Sequence, residues 1–303
     1  MGNLFFIIFL LLLGVALRHI SVFPKETPLV LNQYVIHISL PALVLLKIPH
    51  LQFTIDLIVP VIIPWIMLFF SVVLIQYLAR YWCWSREITG CLMLTVPLGN
   101  TSFLGIPMID AMFGPHAIPY GVLYDQMGSF PALSIYGAVV VALYQANTSQ
   151  RPTLSAIGYR IFTFPAFIAL MTALVAGPFF QDPSIQAILQ RLADTLVPVV
   201  MVAVGFNLKP SLPRPLFQPL LTGLGIKMIL APLVALGLCL AWDLKTLPAL
   251  IAIFEAGMPP MITAGAMAAA SGLAVELAAA MVGLGILVSL VLLPLMAMVL
   301  KGL

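Results

Sequence analysis

Three charged side chains lie inside long apolar stretches of this 303-residue sequence, and they are the first candidates for chemistry. They are Asp125, Lys227 and Glu255. If these stretches span a membrane, the charges are costly, and such residues usually mark ligand or ion pathways. We therefore expect Asp125, with its neighbour Gln126, and Lys227 to contact a ligand. We expect Glu255 and Asp125 to bind a coupling cation.

Two apolar stretches are interrupted by proline and glycine, and polar groups accompany both breaks. A proline inside a helix removes a hydrogen bond, and in lipid the freed backbone groups cost several kcal/mol each. One break would indicate a packing kink. Two breaks at equivalent places predict half-helices that cross at the bilayer midplane, with N-terminal ends that attract an anion. The predicted crossover comprises Pro97, Gly99, Pro259 and Pro260, and the predicted substrate site comprises Asn100, Thr101, Ser102, Asp125, Gln126, Lys227, Gly257, Met258 and Pro259.

Each charged residue also has a structural interpretation. Asp125 shares a predicted helical face with small residues that include Gly121 and Gly128, which turns the carboxylate into the bundle, and an interfacial position is the alternative. Lys227 either binds a substrate carboxylate or neutralises a buried acid as an ion pair. Glu255 either shares a sodium ion with exposed carbonyls, carries a proton, or is solvated at a loop end.

The elements that must position these residues are membrane-spanning helices. The chain is 62% hydrophobic and 8% charged, whereas soluble domains carry roughly a quarter charged residues. A bilayer core of about 30 Å needs about 20 apolar residues per helix. Ten runs meet this need, which predicts an all-α integral membrane protein. They lie near 3–17, 30–46, 57–79, 88–109, 117–145, 154–178, 185–208, 216–241, 246–270 and 275–300.

The two halves of the chain resemble each other weakly, which is typical of inverted-repeat transporters. The interrupted spans are the fourth and the ninth, so they hold the same place in each half. Five spans per half place the second copy in the opposite orientation. We predict one transmembrane unit built from repeats at 1–147 and 153–303.

Lysine and arginine in the connections predict the orientation, because cytoplasmic loops carry the excess of positive residues. Eight such residues lie on one side and four on the other, so we place both termini on the non-cytoplasmic side of a bacterial inner (plasma) membrane. The larger set is Arg18, Lys25, Arg80, Arg86, Arg151, Arg160, Lys209 and Arg214, and the smaller is Lys47, Arg191, Lys245 and Lys301.

The stretch from Gly99 to Pro107, GNTSFLGIP, resembles the fourth-helix motif of the auxin efflux carrier family. That family includes plant auxin exporters and bacterial malonate or malate permeases. The resemblance extends over essentially the whole chain, through Leu40-Pro41, Pro198 and the segment from Glu255 to Leu300.

The resemblance implies ten helices in two inverted five-helix repeats, similar to bile-acid sodium symporters, with a transport domain that moves as an elevator against a scaffold. In this resemblance Asn100 matches the asparagine of the crossing helix and Pro259 the proline of the ninth helix. The long cytoplasmic loop of the plant carriers is here reduced to about residues 145–156. Glu255 stands where plant carriers are polar but uncharged, which favours coupling to sodium or protons.

The sequence thus predicts a secondary active transporter of a small organic carboxylate, with a membrane channel or a sodium-dependent bile-acid-like symporter as alternatives. It lacks the paired Ser and His, the paired metal-binding acids and the His spacing of an intramembrane enzyme. We expect no cofactor beyond a possible sodium ion at Glu255, no nucleic-acid partner, and a homodimer in the bilayer. The four histidines lie mostly near span ends and receive no chemical role.

Overall fold

The computed structural model describes residues 2–51, 54–145, 153–208 and 214–303. The predicted repeat boundary and the loop cations Arg151 and Lys209 lie outside these residues. The described chain is helical, with one isolated antiparallel bridge. Its helices are α1 (Gly2–Leu17), α2 (Thr27–His50), α3 (Ile55–Tyr81), α4 (Arg86–Thr95), α5 (Thr101–Phe113), α6 (Ile118–Tyr144), α7 (Leu154–Phe162), α8 (Pro165–Val175), α9 (Pro183–Asn207), α10 (Phe217–Ala241), α11 (Leu247–Ala256), α12 (Ile262–Ala270) and α13 (Val275–Lys301).

Six of these helices are long and apolar enough to cross a membrane: α2, α3, α6, α9, α10 and α13. The pair α7 and α8 forms a seventh candidate span, bent by 62°. Large apolar side chains such as Phe69, Val291 and Met298 are exposed on these helices, as expected for surfaces that face lipid. The predicted class, an all-α membrane protein, is confirmed.

The two runs predicted to be interrupted are each divided into two short helices. Residues 88–109 form α4 and α5, and residues 246–270 form α11 and α12. The breaks follow Thr95 and Ala256, where Pro97 and Pro259 cannot continue a helix without loss of a hydrogen bond.

The helices pack as two groups. In the first, α2 packs on α8 and α9, and α1 lies along α9. Gly14 and Gly205 bring α1 and α9 so close that a Cβ at either position would meet a backbone carbonyl oxygen, that of Val202 or of Leu11. The second group contains α3 to α6 and α10 to α13, with the two broken runs at its centre.

Five turns of the described helices are widened into π turns, at Val35–Ser39, Thr101–Gly105, Asp125–Ser129, Leu133–Gly137 and Ile226–Leu230. Four of them are followed, two residues later, by a proline: Pro41, Pro107, Pro131 and Pro232. A proline ring clashes with the carbonyl four residues earlier, and a widened turn relieves that clash. The extra residue changes which side chains face the protein interior.

Candidate functional site

The two breaks meet in the interior and pair through their backbones. The amide of Asn100 donates to the carbonyl of Pro259 at 2.8 Å, and the amide of Met261 donates to that of Leu98 at 2.9 Å. Gly99 lies opposite Pro260 as an antiparallel bridge. These bonds satisfy backbone groups that would otherwise be unpaired in the membrane. The structure therefore brings the two predicted break segments together as one crossover.

A cavity of about 340 Å³, the crossover cavity, opens beside this crossing. It lies next to the N-terminal ends of α5 and α12, because Ser102 and Thr263 in their first turns are among its lining residues. Helix N-termini carry partial positive charge and unpaired amides. The complete lining is Gln33, Ile36, His37, Leu40, Asn100, Ser102, Phe103, Asp125, Phe130, Leu133, Arg160, Thr163, Phe164, Pro165, Met261 and Thr263.

Asp125 lines this cavity and is held by Thr101 and Gln126, two buried neighbours that are not among the described lining residues. Thr101 donates to one oxygen of Asp125 at 2.5 Å, and Gln126 donates to the other at 2.6 Å. All three side chains are buried. Among the described residues, the amide nitrogen of Asn100 and the amide oxygen of Gln126 have no hydrogen-bond partner. A buried donor without a partner is costly, so Asn100 is suited to a ligand acceptor.

Lys227 lies at the other side of the crossover. Its ammonium donates to the carbonyl of Ala256 at 3.2 Å, at the C-terminal end of α11. The side chain is 3% exposed and packs against Gly99. A cation at a helix C-terminus is favourable because the last carbonyls carry partial negative charge. Lys227 is not among the described lining residues of the crossover cavity, and the group that it contacts is a helix carbonyl, so its two predicted roles, a substrate ligand or an ion pair with a buried acid, stay predictions.

Glu255 is fully buried in the last turn of α11. Within the described chain both of its carboxylate oxygens lack a hydrogen-bond partner. They lie against two glycines on neighbouring helices: a Cβ at Gly105 would come within 2.5 Å of one oxygen, and a Cβ at Gly121 within 3.2 Å of the other. A negative charge near a helix C-terminus is also disfavoured. No hydrogen-bond donor among the described residues satisfies this carboxylate, although the positive charge of Lys227 acts on it.

The remaining predicted residues are buried at the crossing. Pro97, Gly99, Gly257, Met258, Pro259 and Pro260 all lie in the interior. Gly257 packs on Met296, and Met258 is fully buried beside Gly99. The methionine that lines the cavity is Met261, three residues further on.

Asp125 is buried, and glycines lie on either side of it along α6. A Cβ at Gly121 would meet Ile109 and Glu255, and a Cβ at Gly128 would meet Pro64 of α3. The two glycines are about 10 Å apart along the helix, so they meet different neighbours. The π turn that starts at Asp125 lies between them. The shared helical face stays a prediction.

Five polar residues of the lining are not predicted from the sequence: Gln33, His37, Arg160, Thr163 and Thr263. The carbonyl of Gln33 can only accept a hydrogen bond, so at 2.9 Å the Nδ1 of His37 is the donor and Nε2 remains free. His37 lies four residues before Pro41, in a π turn, and this spacing is a signal that could have identified it. Arg160 had been assigned to a loop.

A second cavity of about 400 Å³ follows along the same two helices. On α2 the crossover cavity ends at Leu40 and the second cavity begins at Leu43. On α5 the crossover cavity ends at Phe103 and the second cavity begins at Ile106. Three helical residues span about 4.5 Å. The second cavity is also lined by Lys47, Asp110 and Asp194, which the sequence does not assign to a site.

The fold and the crossover define an all-α, multi-pass membrane protein with a cavity beside its crossover. The chain belongs to the membrane transport protein family, whose sequence model matches residues 1–297, and this confirms the resemblance to the auxin efflux carriers. It is 25% identical over 301 residues to an uncharacterized transporter of Methanothermobacter thermautotrophicus, which covers 97% of this chain and 96% of that protein. It is 24% identical over 266 residues to an uncharacterized transporter of Methanocaldococcus jannaschii, which covers 84% of this chain and 83% of the other. The chain is therefore a membrane transport protein.

Proposed function

We propose that the protein is a secondary active transporter of a small organic anion, most simply a carboxylate. The observation that carries this proposal is the convergence of two helix N-termini, those of α5 and α12, on one cavity that is also lined by Asn100, whose side-chain amide nitrogen has no partner among the described residues. Helix N-termini and unpaired donors favour negative charge. A cavity of about 340 Å³ is at the small end of ligand sites.

Alternating access is supported by the two cavities. They follow one another along α2 and α5 and are separated by about one helical turn. A ligand at such a thin barrier needs only a modest displacement to change sides. The first helix group, around α2 and α9, acts as the scaffold, and the second group, around the crossover, moves against it as an elevator.

The ten-span arrangement is part of the same proposal. Ten spans result when α1, the bent pair and the two broken runs, α4 with α5 and α11 with α12, are added to the six long helices. The two broken runs hold equivalent places in two inverted repeats. The charge distribution then places both termini on the non-cytoplasmic side of a cell membrane.

Glu255 is the coupling residue in this mechanism. Its carboxylate has no hydrogen-bond partner among the described residues and lies near the crossover. A buried unpaired carboxylate is disfavoured, so it binds a cation during the cycle, either a sodium ion or a proton. Binding and release of that cation would link the transport step to an ion gradient.

Exchange of radiolabelled lactate, malonate and succinate in proteoliposomes tests the proposed function. We expect saturable exchange of at least one of them, and Asn100→Ala should weaken apparent affinity by about tenfold, because a hydrogen bond to a charged group is lost. Asn207→Ala, at an exposed asparagine at the end of α9, is the matched control and should behave as wild type. Flux that rises linearly with concentration would indicate a channel instead.

A further inference from the structure

Arg160 is positioned by the bend between α7 and α8. The chain leaves α7 at Phe162 and turns by 62° before Pro165. Within the turn, the ring of Phe164 stacks on that of Phe130 of α6, with centroids 3.7 Å apart and planes 18° apart. Both rings line the crossover cavity. This contact holds the last turn of α7, and with it Arg160, at the cavity.

The guanidinium of Arg160 has no hydrogen bond or ion pair within the described part of the chain. The acid in the described lining is Asp125, which accepts hydrogen bonds from Thr101 and Gln126 and forms no ion pair with Arg160. Arg160 is also exposed, so its donors are available to a ligand. A free guanidinium and the unpartnered side-chain amide nitrogen of Asn100 therefore line the same cavity.

We propose that Arg160 binds the carboxylate of the transported anion and makes the site selective for anions over neutral molecules of the same shape. This inference rests on the proposed function and names the residue that gives it charge specificity. A guanidinium offers a planar pair of donors that matches a carboxylate in a bidentate contact. Lysine offers a point charge without that geometry.

The two ligand donors come from separate helices. Asn100 lies at the crossover, whereas Arg160 is on α7, which contacts both α6 of the second group and α8 of the first. A carboxylate held by both donors would link α7 to the crossover in this arrangement.

The test measures binding to the purified full-length protein in detergent by calorimetry. The probes are lactate, malonate and succinate, with lactamide as the neutral counterpart of lactate. Arg160→Gln should raise the Kd of the bound carboxylates by about tenfold or more, and Arg160→Lys should give an intermediate value. Weak lactamide binding should be the same in all three proteins, since a loss of fold would change it as well.

Arg80→Gln is the matched control, because Arg80 is an exposed arginine at the end of α3 and belongs to the same predicted side of the membrane. It should bind every probe as wild type does.

If Arg160→Gln does not fold, Arg160→Lys alone decides, through a weaker Kd for carboxylates with unchanged lactamide binding. Carboxylate affinity that survives either substitution would overturn the role of Arg160 and leave the proposed function intact. Absence of carboxylate binding to wild type would instead overturn both.

Discussion

Most polar and charged groups near the crossover match the partial charge of the helix end beside them. The N-termini of α5 and α12 lie beside the cavity with Asn100, and Lys227 covers the C-terminal carbonyl of Ala256. Glu255 departs from this pattern, since an acid in the last turn of a helix opposes the helix dipole. Its carboxylate also lacks hydrogen-bond partners among the described residues. A residue placed against two electrostatic preferences is expected to serve function rather than stability.

We expect Glu255→Gln to lose gradient-driven accumulation while retaining exchange of labelled against unlabelled substrate. The amide has the shape of the protonated acid but cannot release a proton or neutralise a sodium ion. The measurement is uptake into proteoliposomes under an imposed sodium or pH gradient, with exchange in the same vesicles as the control for folding. Full accumulation by the variant would exclude Glu255 as the coupling residue and leave Asp125 as the next candidate.

Among the helices, the sequence predicts the features that depend on composition and on the position of proline. The helical class, the division of residues 88–109 and 246–270, and the polar groups at the first break are all readable from apolar runs and from Pro97 and Pro259. Which side chains face the cavity is not readable in the same way. Each residue turns a helix by about 100°, so a π turn rotates everything that follows.

Two particular differences have other causes. Met261 and not Met258 lines the cavity because the break between α11 and α12 pairs with the other break at Pro260, which places the Met258 side chain against Gly99. Arg160 resembles a loop cation because it stands in a short helix before a bend. A polar residue four to six positions before a proline within a span, as at His37 and Asp125, is the signal for a cavity-lining residue in related sequences.

The close contact between α1 and α9 gives a prediction about helix packing and stability. In Gly205→Ala the added methyl would meet the carbonyl of Leu11, and backbone cannot move aside as a flexible side chain would. We expect a loss of about 1–3 kcal/mol in the free energy of unfolding, typical of an overpacked site. Gly237→Ala in α10 is the matched control, because nothing lies within 4 Å of its added methyl. Thermal unfolding in detergent measures both, and equal melting temperatures would contradict the close approach of the two helices.

For the whole molecule, the central question is how one ligand site can reach both sides of a membrane. The crossover cavity and the second cavity are arranged in sequence along α2 and α5, with Leu40 and Leu43 on either side of the barrier. α2 belongs to the first helix group and α5 to the second, so the barrier is formed where the groups meet. A displacement between the groups would open one cavity as it closes the other.

Cysteine labelling from each side of the membrane tests this arrangement. Thr263→Cys places a thiol in the crossover cavity and Ala111→Cys places one in the second cavity, in a Cys83→Ser background because Cys83 is the exposed native cysteine while Cys91 and Cys239 are buried. In vesicles of known orientation, an impermeant thiol reagent should label the two positions preferentially from opposite sides. In the proposed elevator mechanism the crossover moves with its helix group, so Thr263→Cys should also become reactive from the second side when a saturating carboxylate and a coupling gradient are present. If both thiols react equally from one side under every condition, the two cavities are a single vestibule and the elevator mechanism is wrong.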